Sequence, residues 1–75
     1  MIYARARECI KDVETGSIAE EGDSLLSITF FDDYNNLVTI DYVEIVRIGH
    51  YHSTFLKNNE EFNVRNDDID GFEVE

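Results

Sequence analysis

Residues 24–48, SLLSITFFDDYNNLVTIDYVEIVRI, constrain this chain more than any other stretch. Ahead of residues 32–36 apolar side chains recur at every second position, at Leu26, Ile28 and Phe30. Beyond them the same spacing gives Val38, Ile40 and Tyr42. Strand side chains alternate between faces, so each set occupies one face, and a hairpin brings the two faces together. Asn35 and Asn36 tolerate the positive φ of a tight turn, and the flanking Ile, Val, Thr, Phe and Tyr suit a pleated, half-buried surface. The expectation is two antiparallel strands joined at DDYNN. From Val43 to Ile48 both faces of the second strand are apolar, which a side facing water would not be. A strand that bends and passes between layers, as at the corner of a small barrel, accounts for this.

Residues 2–11 read as a first strand, with Ile2, Ala4, Ala6 and Ile10 alternating against Tyr3, Arg5, Arg7 and Cys9. Glu8 interrupts the inward face. A helix competes there, since Ala, Arg and Glu are good helix formers, but no N-cap precedes the run. Residues 12–23 read as a polar loop with Gly16 and Gly22, tucked onto the core by Ile18 and Ala19. After Gly49, residues 50–56 form a short strand, 57–60 a turn and 61–65 another strand. Residues 66–71 are a turn with 3₁₀ character. Residues 72–75 are a last strand with Phe72 and Val74 on one face. Five to six short antiparallel strands make a small all-β barrel or sandwich, one domain over residues 1–75. A chain of 75 residues buries roughly 60% of its unfolded surface, enough for one small core.

Charge is the most one-sided property. Seventeen acids face six bases, for a formal net charge of −11. Residues 12–46 hold nine acids and no Lys or Arg; residues 58–75 hold seven acids against Arg65. Such a surface repels phosphates, so direct binding of nucleic acid or an anionic membrane is disfavoured, and basic protein surfaces are attracted. High net charge also serves solubility, but solubility alone rarely needs so one-sided a count. The one cysteine, Cys9, excludes an internal disulfide and fits a reducing compartment. The first nine residues lack the apolar core of a signal peptide, and no apolar run reaches membrane-spanning length. A cytoplasmic location is expected.

The order of elements resembles the small SH3-like barrels, including short ones encoded by phages and mobile elements. The residues that carry the resemblance are Cys9-Ile10-Lys11-Asp12, Gly22-Asp23 and Gly71-Phe72-Glu73-Val74. The chain has neither tryptophan nor an ALYDY-type first segment, so the resemblance does not extend to a groove for proline-rich ligands. It implies an SH3-like barrel, no catalytic residues and a small binding protein.

Three constellations are candidates for chemistry. Residues 66–71, NDDIDG, match the opening of an EF-hand calcium loop, but the glutamate required at position twelve falls beyond Glu75. A solvated turn is the expected use of these residues. His50 and His52, two apart on a strand, would share a face, and a zinc site there would need a third donor such as Asp41 or Glu44, yet the chain has only two imidazoles. Cys9, Ser53 or Thr54 beside a histidine would be a nucleophile, but no elbow or Gly-rich oxyanion loop accompanies them. No catalytic residue, metal or cofactor is expected, and the chain is not read as an enzyme.

The function expected is that of an acidic protein-binding module. It would inhibit or recruit its partner by occupying a basic surface, such as that of a nucleic-acid-processing enzyme, with carboxylates imitating phosphates. The residues expected to make contact are Glu14, Glu20, Glu21, Asp23, Asp32 and Asp33, with Glu60, Glu61, Asp67, Asp68 and Asp70 as a second patch. Exposed ion pairs are individually weak, so aromatic anchors such as Tyr34, Phe31 or Tyr51 must add affinity. The alternative is a small assembly protein, a homodimer formed through sheet edges and the doubly apolar end of the long strand.

Overall fold

The computed structural model describes residues 2–4 and 9–75. It contains eight strands: β1 (Ile2–Ala4), β2 (Cys9–Asp12), β3 (Ile18–Glu20), β4 (Ser24–Phe31), β5 (Leu37–Ile48), β6 (His52–Lys57), β7 (Glu60–Arg65) and β8 (Ile69–Val74). A 3₁₀ turn, Asn66–Asp68, links β7 to β8, and the described residues hold no α-helix. The chain is all-β, as the alternation predicts. Two antiparallel sheets form, one of order β1-β2-β3 and one of order β7-β6-β5-β4-β8. The larger sheet has two edges, β7 and β8, so it is not a closed barrel.

The expected five to six strands become eight for two local reasons. The first run doubles back: Ile2 pairs with Asp12 and Ala4 with Ile10. Arg5, Ala6, Arg7 and Glu8, which belong to the single strand expected there, lie outside the described residues. The polar loop at 12–23 also contains a strand, β3, whose Ala19 pairs with Ile10. Both of these residues are fully buried, while Ile18 points out. The turn between β2 and β3 is fixed by Asp12, whose Oδ1 accepts hydrogen bonds from the amides of Glu14 (2.9 Å) and Thr15 (3.3 Å). A buried carboxylate is costly unless so bonded.

The core joins Ile10 and Ala19 of the small sheet to Leu25, Ile28, Val43, Ile45, Ile48, Phe55, Val64, Ile69 and Phe72 of the large one. Its inward residues change phase along the β4–β5 hairpin. Phe30 and Ile28 face inward with Val38 and Ile40, as period two requires, but the next buried pair is Leu25 with Val43. Leu26 and Tyr42, expected inside, are 38% and 72% exposed. The change occurs where Tyr42 takes φ 56°, a left-handed conformation, and where β4 bulges against β8 between Leu25 and Ser27. A second irregularity between Ile45 and Arg47 leaves Arg47 out beside Val46 and turns Ile48 in. The doubly apolar end of β5 therefore results from a bent strand, as its sequence implies. Gly49 ends it, since a Cβ there would stand 2.5 Å from the His52 carbonyl oxygen.

Beyond Glu44 the inner edge of β5 has outrun β4, and the link between β3 and β4 replaces it. Gly22 N–H donates to the Ile45 carbonyl (2.7 Å) and Ile45 N–H to the Asp23 carbonyl (2.9 Å). The Glu21 carboxylate accepts from the Ile48 amide at 2.8 Å. The two asparagine turns adopt the backbone their chemistry favours, with positive φ at Asn35, Asn58 and Asn59.

A left-handed conformation costs a non-glycine residue about 1–2 kcal/mol. Tyr42→Gly is therefore expected to be neutral or stabilising by about 1 kcal/mol, against the 0.5–1 kcal/mol loss usual for glycine in a strand. Tyr42→Val should lose more than about 1 kcal/mol, since a β-branched residue fits that conformation worst. Urea unfolding of the two variants checks this.

Candidate functional site: an acidic, aromatic-lined groove

Phe30 of β4 and Phe62 of β7 lie with ring centroids 6.0 Å apart, and Phe62 stacks in turn on Phe55 of β6 at 5.6 Å. In a flat sheet β4 and β7 would be about 14 Å apart, three strand spacings. The large sheet is therefore curled, and its edge strand β7 faces the tip of the β4–β5 hairpin. Between them lies a groove of about 620 Å³, walled by Phe30, Phe31, Asp32, Asp33 and Ile40 on one side and residues 62–65 on the other, with His52 and Asp68 closing it. A second concavity of about 310 Å³ shares Ile40 and Phe62 and extends along Glu60 and Glu61 to the β6–β7 turn. The volumes are those of ligand-sized clefts.

The groove and the adjoining concavity together gather acids that lie far apart in sequence. Asp32 and Asp33 come from the hairpin turn, Glu60 and Glu61 from the start of β7, and Asp68 from the 3₁₀ turn. Two bases line them, and both have partners. Lys57 Nζ donates to the Asp41 carbonyl, and the Arg65 guanidinium stands 3.9 Å from the Asp67 carboxylate. Apolar surface adjoins the rim: Phe31 and Leu37 are cross-strand partners, 36% and 56% exposed, and Tyr34 at the turn tip is 86% exposed.

The two patches read from sequence are thus divided differently in space. Asp32 and Asp33 of the first lie with Asp68 of the second in the groove, and Glu60 and Glu61 line the concavity beside it. Glu14, in the β2–β3 turn, and Glu20, on β3, do not line the groove. Glu21 is bonded to the Ile48 amide, and Asp23 accepts from the Glu20 amide at 2.8 Å. Asp32 also has a local role, its Oδ1 accepting from the amides of Tyr34 (2.9 Å) and Asn36 (2.8 Å). Asp67 is paired with Arg65, and Asp70 lies exposed on β8. Sequence reading missed the apolar floor of Phe30, Ile40 and Phe62. Period two places each of them inward, but only the curl of the sheet brings them together.

The other candidates resolve into structural roles. Asn66, the first position of the calcium-like loop, is 5% exposed and has no oxygen to spare. Its Oδ1 accepts from the fully buried Ser53 hydroxyl at 2.6 Å, and its Nδ2 donates to the carbonyls of Gly49 (2.9 Å) and His50 (3.2 Å). The solvated turn expected at 66–71 is corrected at its first residue, since Asn66 is the buried latch holding β6 to the 3₁₀ turn. Ser53, bonded to Asn66, and Thr54, donating to Asn63 Oδ1 at 2.7 Å, are not placed as nucleophiles. His50 lies in the bend before β6, edge-on to Tyr51 at 4.5 Å, so it does not share a strand face with His52. Cys9 is buried. No group of three or more His, Cys, Asp or Glu is arranged to hold a metal among the described residues.

No family model matches the chain, and no curated protein or solved structure matches it either.

Asn66→Ala leaves a buried hydroxyl and carbonyls without partners, at about 1–3 kcal/mol for each unsatisfied group. Thermal unfolding should show that loss, and millimolar calcium should change the stability of neither the variant nor the parent chain.

Proposed function

We propose that this protein is an acidic binding module that grips a basic surface of a partner protein through the groove between β7 and the β4–β5 tip. One observation carries the reading: Asp32, Asp33 and Asp68 line the groove and Glu60 and Glu61 the concavity beside it, the two sharing apolar Ile40 and Phe62, with the exposed Phe31 in the groove wall. Carboxylates alone steer a partner and give little affinity, whereas apolar anchors alone give little selectivity. The two together fit a cationic partner that also presents apolar side chains. Surfaces that bind nucleic acid have this character, and a module seated on one would inhibit or recruit the enzyme that bears it. A reducing, cytoplasmic setting accords with the lone buried Cys9. We read the fold as an SH3-like arrangement opened along β7, with the bent β4–β5 hairpin in support.

Self-association through sheet edges has less support. The apolar end of β5, which would bury surface in a homodimer, is spent on the chain's own core, with Val43, Ile45 and Ile48 each at most 5% exposed. The β8 edge carries Asp70 and Glu73 with Glu75 following. Pairing two copies there would set like charges across the seam.

Reversing Asp33, Glu60 and Glu61 to Lys tests the reading. Affinity capture from cells of the source organism should recover a basic protein with the parent chain and lose it by tenfold or more with the triple variant. Reversing Glu14 and Glu20 should leave recovery within about twofold. Duplex DNA should compete for a partner that uses its nucleic-acid surface. Capture indifferent to the triple reversal would contradict the reading.

A further inference from the structure

The way β7 lines the groove points to a particular mode of binding. Successive side chains of a strand project to opposite faces, so a cleft on one face of a sheet touches only every second residue. Here Phe62, Asn63, Val64 and Arg65 border the groove, and Glu60, Glu61 and Phe62 border the smaller concavity beside it. Consecutive residues of both parities line it, so the groove meets β7 along its edge. That edge is the end of the large sheet, and among the described residues no strand pairs with it. An unpaired edge presents a row of N–H and C=O groups ready for another extended chain.

We infer that the groove takes an extended, basic segment of a partner protein as an added strand on β7. The inference rests on the acidic-binder reading and specifies how its site is used. Six residues of β7 at about 3.3 Å each give a contact of about 20 Å, room for five or six residues of the partner. Main-chain hydrogen bonds to β7 hold the segment. Its alternate side chains point toward Phe30, Ile40 and Phe62, and the intervening Lys or Arg residues meet the carboxylates at the two ends, Asp33 at the hairpin tip and Glu60 at the β6–β7 turn. The groove's excess of carboxylates over bases selects a cationic strand. The chain's own exposed edge, acidic β8, is the wrong sign to fill it.

The test uses the whole chain, labelled with nitrogen-15, and two capped hexapeptides of alternating Lys and Val. In one peptide the backbone nitrogens are methylated at alternate positions, which removes hydrogen-bond donors and keeps the charge. The unmodified peptide is expected to shift the amides of residues 60–65 and 31–33. The methylated peptide should bind at least tenfold more weakly, and Glu60→Lys with Glu61→Lys should weaken the unmodified one by a similar factor while the spectrum stays dispersed. Equal affinity for both peptides, lost on adding salt, overturns the added-strand inference and leaves the acidic-binder reading standing. Shifts centred on β8 overturn it as well, as does a doubled mass by light scattering without peptide, which would mean that a second copy holds the edge. Binding of neither peptide at low salt removes the acidic-binder reading with it.

Discussion

The arrangement of this protein depends on one backbone inversion, at Tyr42. A two-stranded ribbon as long as β4–β5 would, if regular, carry one apolar face from end to end and lie against a single flat layer. With Tyr42 at φ 56° and a bulge at Leu26 on the adjacent strand, the inward phase changes partway along. The tip of the hairpin then points Phe30 and Ile40 inward, and its base points Leu25, Val43 and Ile45 inward. A ribbon with two inward-facing halves can wrap a core, and this one does so without closing a barrel. The conformation is expensive for a tyrosine. It persists because the core buried by both halves, several large side chains at about 1.5–3 kcal/mol each, outweighs it.

The curl that follows from the inversion also creates the groove. It brings Phe62 to Phe30 across two intervening strands and leaves β7 without a partner on its outer side. The acids then separate into two kinds of work. Asp12, Glu21, Asp23 and Asp32 bond backbone amides and stand where the chain turns or where β5 outruns its neighbour. Their charge serves the architecture, offering strong acceptors to amides that would otherwise lack one. Asp33, Glu60, Glu61 and Asp68 make no such bond among the described residues; Asp33 and Asp68 line the groove, and Glu60 and Glu61 the concavity beside it. Eight of the seventeen acids thus divide between supporting the backbone and facing these two concavities.

Much of this was legible in the sequence where the cause is local. The DDYNN turn, the Asn58-Asn59 turn and the strands around them follow from period two and from the readiness of asparagine to take positive φ. The bend in β5 left its mark as a doubly apolar run. The position of the bend did not, because tyrosine is an unfavourable residue for a left-handed conformation and no local preference points to Tyr42. β3 was hidden for a different reason. Its three residues include one buried side chain, Ala19, and a pattern needs repetition to be seen. Asn66 looked like a ligand because its oxygens suit a cation, whereas its partners Ser53, Gly49 and His50 lie 13 to 17 residues away. The groove is likewise a product of non-local pairing, so its carboxylates could be grouped only by their order in the sequence.

Carboxylates around one aromatic groove would give it a local anionic field. Paramagnetic relaxation by a cationic and an anionic small probe, read at individual protons of the free protein, measures that field directly. The account predicts that the cation relaxes protons of Phe31, Asp33, Glu61 and Phe62 far more than the anion does, with a much smaller ratio at Lys11 and Arg47. A ratio that is uniform over the surface would contradict it.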